Sequence, residues 1–379
     1  MGGIPLYGQE RGNIQVFHAV RSKGVDALFV THKEFGHEAI QPALDDLKLN
    51  WTVASYPPRW GRGLSLGAIW SRLRVVRRGS RDFLRAAEAY RPTHIHTMNE
   101  KYFLDLYPAI RKLKLPMVYR MGDEPRVHHP VYRAVWKHLI IPRVSQFVAN
   151  SQFIRQSLLN AGVPDQKVRV IYTYPPDRPE PEATDLPEDL LTPFAGRTVT
   201  YMGQLSKDKG VDLFVEAALQ ICSSRSDLRF ILAGDYTWKN PFAESLIARV
   251  EAAGLSQQIR FIGFISDIDR LLSISDIHCA PSVWAEPLAN TVLEAKRAKT
   301  PSVIFASGGL PELAVEQGRD AFLCPEKTAD ALMNGILHFG TMSSGDLEAA
   351  SQEAFDSLGR LGISREGFAQ AWADVYATL

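Results

Sequence analysis

Two glutamates eight residues apart, Glu286 and Glu294, lie in the run PSVWAEPLANTVLEAKRAKTPSVIFASGGLPE from Pro281 to Glu312. The apolar stretch Ile277–Ala280 reads as a buried strand stopped by Pro281. A loop with Trp284 and Glu286 follows, then a helix from about Asn290, a residue suited to the N-cap, to about Lys299. Pro301 ends that helix, Ser302–Phe305 forms the next strand, and Gly308-Gly309 turns the chain towards a further helix near Pro311. Eight residues at ~1.5 Å of rise span about 12 Å, comparable to the reach from a sugar through a diphosphate to a ribose. Glu286 could accept hydrogen bonds from hydroxyls at one end of such a ligand and Glu294 at the other. The open N–H groups of the helix start between them, at Leu288, Ala289, Asn290 and Thr291, suit an anionic diphosphate. A capping residue followed by a solvated surface residue gives the same spacing, so context must decide.

The elements that position this run belong to two series of alternating strands and helices. In the second half, strands are expected at Thr198–Met202, Arg229–Ala233, Arg260–Gly263, Ile277–Ala280, Ser302–Phe305 and Ala321–Cys324. In the first half they are expected at Ala27–Thr31, Trp51–Ser55, Thr93–Thr97, Met117–Arg120 and Gln146–Ala149, after an amphipathic helix from about Gln9 to Lys23. This is the pattern of parallel, doubly wound sheets, whose ligands bind at the carboxyl ends of the strands. A Pro-rich, acidic stretch around residues 176–197 reads as the connection between domains 1–175 and 198–363. The last segment, 364–379, is an amphipathic helix carrying Phe368, Trp372 and Tyr376 at four-residue spacing.

At 379 residues, 45% apolar and 22% charged, the composition is that of a soluble globular protein with two cores. No apolar run reaches the ~18 residues of a membrane span, and no signal peptide is expected at Met1. Cys222, Cys279 and Cys324 stand singly in apolar stretches and read as buried, reduced thiols of a cytosolic protein. The net charge of +1 conceals an asymmetry: 27 basic against 15 acidic residues up to Glu180, and 16 against 27 beyond. Eight arginines and one acid fall between Arg59 and Arg85, interleaved with Trp60, Trp70 and aliphatic residues. Such a segment, with Trp60, Arg72, Arg74, Arg77 and Arg78, suits an anionic membrane surface. A solvated cationic face and a site for a phosphorylated acceptor are the other readings. Nucleic acid is disfavoured, since no stacking platform or binding motif accompanies the charge.

The run PS-x-x-x-EP-x-x-x-x-x-LEA, then P-x-V and GGLPEL, resembles the retaining glycosyltransferases of family 4, which have the GT-B fold. The resemblance extends through Tyr201–Leu205, Lys209–Asp212, Leu232–Gly234, Phe261–Phe264 and Ser275–Ile277, about half of the chain, and is loose in the N-terminal half. It implies an α/β protein of two Rossmann-like domains facing a central cleft, the last helix packing back on the first domain. It also implies transfer of a sugar, with retention of anomeric configuration, from a donor such as a UDP- or GDP-sugar to a glycan or lipid-linked acceptor. Neither metal nor cofactor is expected, and peripheral association with the inner face of a cell membrane fits surface polysaccharide synthesis.

By the same resemblance the donor base lies near Gly263, Phe264 and Ile265, the ribose on Glu294, and the sugar near Glu286. Lys209 matches a cation that grips the diphosphate; Gln204 stands where most relatives have Arg, leaving Lys207 or an N-domain arginine to compensate. Gly8-Gln9-Glu10-Arg11 resembles the family's Gly-x-Glu-Arg turn, so Gly8 and Glu10 are candidates for the acceptor-side loop, an ordinary surface turn being the other reading. The family's strand before that turn has no counterpart. Asp123, where many relatives carry a histidine, is a candidate catalytic residue on the acceptor side or a helix cap. Asp267-Ile268-Asp269 has the D-x-D form of a metal motif, but acids in a first helical turn are ordinary capping. A nucleotide-sugar epimerase and a non-catalytic sugar-nucleotide-binding subunit are the alternatives.

Overall fold

The computed structural model describes residues 8–32, 37–55, 66–175, 184–235 and 240–379. The chain divides into two compact units, Met1–Thr173 with Ser364–Leu379, and Tyr174–Ile363.

In the first unit, β1 (Leu28–His32) and β2 (Asn50–Ala54) form a parallel pair. A separate parallel ladder holds β3 (Ile95–Thr97), β4 (Met117–Met121), β5 (Gln146–Ala149) and β6 (Val168–Val170), in that order. Every residue of β4 and β5 is buried, as expected of strands covered on both faces. Tyr119, Trp136 and Phe147 stack with ring centroids 5.8–5.9 Å apart at the centre of this core. Helix Arg365–Ala377, capped by Ser364, lies against helix Gly8–Val20 and buries Phe368, Trp372 and Tyr376.

The second unit is one parallel sheet of six strands: β7 (Arg197–Met202), β8 (Leu228–Ala233), β9 (Ile259–Gly263), β10 (Ile277–Ala280), β11 (Ser302–Phe305) and β12 (Ala321–Cys324). Their spatial order is β12-β11-β10-β7-β8-β9. The strand order therefore reverses between β7 and β10, and that switch point is where doubly wound sheets leave a crevice for ligand. The acidic stretch before β7 is not wholly an extended connection. Helix Glu188–Leu191 forms within it, and Leu186 and Leu190 are buried with Ile231 and Leu271 of the second unit.

Candidate functional site

The loops after β7 and β10 flank the switch point and touch. Gly210 has φ +67°, and a Cβ there would stand 2.0 Å from the carbonyl oxygen of Pro281. No side chain fits, so glycine lets the two loops meet. Val283 N donates to Asp208 O at 3.0 Å, and Tyr201 OH donates to Gln204 O at 2.7 Å. Lys209, ending a short turn of 3-10 helix at Lys207–Lys209, is thereby set beside Glu286.

Lys209 Nζ donates to Glu286 Oε2 and lies 5.5 Å from the centroid of the Trp284 ring. The same Oε2 accepts from Trp284 Nε1 at 2.9 Å and Ser282 Oγ at 3.2 Å. The backbone of Glu286 is fixed too: its carbonyl accepts from Gly309 N at 2.7 Å, with Gly308 so close that a Cβ would stand 2.2 Å from that oxygen. Glu286 is thus a positioned carboxylate paired with a half-buried cation, and a ligand offering an anion and hydroxyls could take each partner's free capacity.

Helix Asn290–Arg297 begins immediately after this loop. Asn290 is its first helical residue and not the N-cap; Ala289 holds that place and offers no side-chain oxygen. The sequence suggested a capping Asn because Asn is favoured there, yet the extended residue is Ala289 (φ −85°, ψ +106°). The amides of Asn290 and Thr291 therefore end the loop without a side-chain cap, the arrangement that suits an anionic ligand. Glu294 is 7% exposed, so it is not a solvated surface residue. Leu288 and Ala289 are buried, whereas Asn290 is exposed. At the end of β9, Gly263 (φ +77°) turns the chain, and beyond it Phe264 is 64% exposed and Ile265 is buried. Gln204 is exposed at the end of β7, alongside exposed Lys207.

Some residues play other parts. Asp267 caps helix Ile268–Ser273, accepting from Arg270 N at 3.1 Å, while Asp269 pairs with Arg297. Lys296 went unnoticed in the sequence. It is fully buried, paired with Asp320 and donating to Ser357 Oγ at 2.9 Å, and burial lowers its pKa. The bond to Ser357 ties helix Asn290–Arg297 to helix Ser344–Arg360 behind the site, and nothing local in the sequence announces the ion-pair partner 24 residues away.

In the first unit, Gly8 and Glu10 lie in the opening turns of helix Gly8–Val20 and not in a loop, and Glu10 is buried. Asp123 is exposed just beyond β4 and is not a helix cap, since His129 caps the next helix, Pro130–Val135. Asp123 acts on Arg120, a buried guanidinium whose pKa burial lowers to about 10 against the opposing pull of Asp123 and Tyr376. His96 is held between Tyr376 OH (2.8 Å from Nδ1) and Asn13 Oδ1 (2.7 Å from Nε2), and burial depresses its pKa to about 3. His94 meets Thr93 Oγ1 at 2.8 Å. Trp60 lies outside the described residues, as does the side chain of Arg72. Trp70, Leu73, Arg74, Arg77 and Arg78 are exposed on one face of helix Leu66–Tyr90.

Two doubly wound units, one with a cation, a fixed carboxylate and open helix amides at its switch point, define a nucleotide-binding α/β protein. The glycosyl transferases group 1 model matches residues 184–354, and the glycosyltransferase family 4 model matches residues 7–173. The chain belongs to the group 1 glycosyltransferases and has the GT-B fold. It is similar to the Rhizobium leguminosarum lipopolysaccharide core biosynthesis mannosyltransferase LpcC, 33% identical over 166 residues, 43% of this chain and 45% of that protein. Spore coat protein SA of Bacillus subtilis is 29% identical over 131 residues, 34% of each protein. These matches span between a third and a half of the relatives' own length. Among solved structures, Anabaena Alr3699/HepE in complex with UDP and glucose superposes with a TM-score of 0.78 at 21% identity, covering 100% of this chain and 98% of that one. A Rickettsia africae glycosyltransferase gives a TM-score of 0.80 at 18% identity, with 98% and 96% covered.

Proposed function

We propose that this chain transfers a sugar from a nucleotide-diphosphate sugar, with retention of configuration, to a glycan or lipid-linked acceptor. The observation that carries the reading is the Lys209–Glu286 pair at the switch point, beside the uncapped start of helix Asn290–Arg297. In the bound state Lys209 and the amides of Asn290 and Thr291 hold the diphosphate and stabilise the charge that develops as it leaves. Glu286 keeps its Trp284 and Ser282 donors and turns its remaining lone pairs to the sugar hydroxyls. Glu294 takes the ribose, and the loop from Gly263 to Ile265 borders the base. Asp123 and the start of helix Gly8–Val20 serve the acceptor side. The acids of the D-x-D sequence are engaged in a cap and an ion pair, which favours a reaction needing no divalent metal at that place.

A UDP or GDP donor and a surface-polysaccharide acceptor draw support from the relatives: HepE was solved with UDP, and LpcC carries lipopolysaccharide core biosynthesis in its name. A thermal-shift screen against UDP-, GDP- and ADP-sugars tests the reading. One donor should stabilise the protein, with the shift reduced in Glu294→Ala and persisting in EDTA. Stabilisation by none of them, or a strict requirement for Mn²⁺, counts against it. Labelled donor without acceptor separates the alternatives, because an epimerase changes the sugar and a transferase awaits its acceptor.

A further inference from the structure

Two buried polar side chains of the first unit lack the partners that their chemistry calls for. Arg120 on β4 is 6% exposed, and burial lowers its pKa to about 10 while Asp123, exposed beyond the strand, favours its charge. Among the described residues its guanidinium, a group with five N–H donors, makes no hydrogen bond and no ion pair. His96 engages both ring nitrogens with Tyr376 and Asn13, leaving neither to accept from Arg120. Asn150, the residue after β5, is 8% exposed, and among the described residues its buried Oδ1 has no hydrogen-bond partner.

The two residues share a face of the sheet. Arg120 is the register partner of Val148, and strand alternation puts Asn150, two residues beyond Val148, on the same side. Both stand at the carboxyl edge of adjoining strands, where open α/β sheets take their ligands. Gly12 of helix Gly8–Val20 makes room for the guanidinium: a Cβ there would stand 2.4 Å from Arg120 Nη2. A buried cation without hydrogen bonds is unfavourable, as is a buried amide oxygen without one. Packing alone is served on this face by Val118 and Val148, both buried. Arg120 with Asn150 instead complements a ligand that carries an acid and a hydroxyl side by side. The guanidinium fork takes two oxygens of a carboxylate or phosphate, and Asn150 Oδ1 accepts from the hydroxyl.

We propose that Arg120 and Asn150 form an acceptor subsite for an acidic sugar, a uronate or a sugar phosphate, an assignment that rests on the transferase reading above. The acid group sits on Arg120, and a neighbouring ring hydroxyl donates to Asn150. A neutral sugar leaves the guanidinium unpaired, so the subsite selects acceptors by charge.

The test is titration calorimetry with glucuronate, glucose-6-phosphate, glucose and inorganic phosphate as probes, and with UDP and GDP as donor-side probes. At least one of the two sugar acids should bind ~10-fold or more tightly than glucose and than inorganic phosphate. Arg120→Gln should erase that preference and leave nucleotide binding unchanged. Asn150→Asp sets a carboxylate beside the guanidinium, so it should raise Tm, abolish binding of the acid and spare nucleotide binding; it carries the decision where Arg120→Gln does not fold. Neither acid binding more tightly than glucose would overturn the subsite, as would unchanged acid binding in Asn150→Asp. Equal binding of inorganic phosphate would remove Asn150 and the sugar from it. Loss of nucleotide binding in place of acid binding in Arg120→Gln would also overturn it, giving the guanidinium to the donor diphosphate. Failure of the transferase reading shows separately, as acid binding by a protein that no UDP-, GDP- or ADP-sugar stabilises.

Discussion

Glu286 and Glu294 sit in one stretch of sequence but are held differently. Glu286 is fixed by three side-chain donors and by the approach of Gly308 to its backbone, so its truncation should spare donor affinity and lower turnover through lost sugar orientation. Glu294, buried about one turn into its helix, should affect binding. A charged acceptor to ribose hydroxyls is worth about 1.5–3 kcal/mol, so Glu294→Ala should weaken donor binding roughly 10- to 150-fold, measurable by calorimetric titration. Gly210→Ala forces a Cβ into the Pro281 carbonyl at positive φ. It should lower Tm by several degrees and weaken donor binding with it, since the two loops can no longer meet. Glu286, Glu294 and Lys209 stood out in the sequence through the motifs that carry the family resemblance, since the spacing of the two glutamates alone fits a cap and a surface residue equally; the pairing of Lys209 with Glu286, 77 residues apart, appears only in the folded chain. Lys296 did not stand out, because its burial depends on Asp320 and Ser357, which only the folded chain brings near.

The strands of the second unit were legible from apolar runs bounded by Gly and Pro, and the structure moves their ends by one residue at most. The order β12-β11-β10-β7-β8-β9 was not, because alternation of strand and helix fixes parallel pairing but not which strands are neighbours. β6, the three residues Val168–Val170, is too short to show a period, and helix Glu188–Leu191 hid in a stretch dominated by proline and acid. Two strands also carry a pH dependence. His96 on β3, half-buried, and His278 on β10, fully buried, are held neutral, their pKa values lowered to about 3 by loss of solvent. Between the ordinary value of ~6.5 and about 3 the unfolded chain binds the protons that the native state refuses, so stability is full above pH ~6.5 and falls with pH. At pH 5 each should cost about 2 kcal/mol relative to pH 7. Denaturant titrations from pH 7 to 4 should show a shallower fall in His96→Gln, whose amide can replace both ring contacts; an unchanged slope would remove His96 from the account.

Across the whole molecule, the basic excess up to Glu180 and the acidic excess beyond it give the two halves opposite charge. Among the described residues no helix is long and apolar enough to cross a membrane, but the exposed Trp70 (57%) and Leu73 (45%) share a face with Arg74, Arg77 and Arg78. Each arginine near an anionic surface contributes about 1 kcal/mol, so this face suits reversible docking beside a lipid-linked acceptor. In liposome flotation, binding should require anionic lipid, fall with salt, and be lost when Arg72, Arg74, Arg77 and Arg78 become Ser. Equal binding to neutral liposomes, or none at low salt, would leave a soluble acceptor. The central claim, that the switch point of the second unit holds the donor, is met most directly by steady-state kinetics with the donor identified by thermal shift. The account predicts that Glu286→Ala lowers kcat and that Glu294→Ala raises the donor KM. Wild-type kinetics in both variants would contradict it.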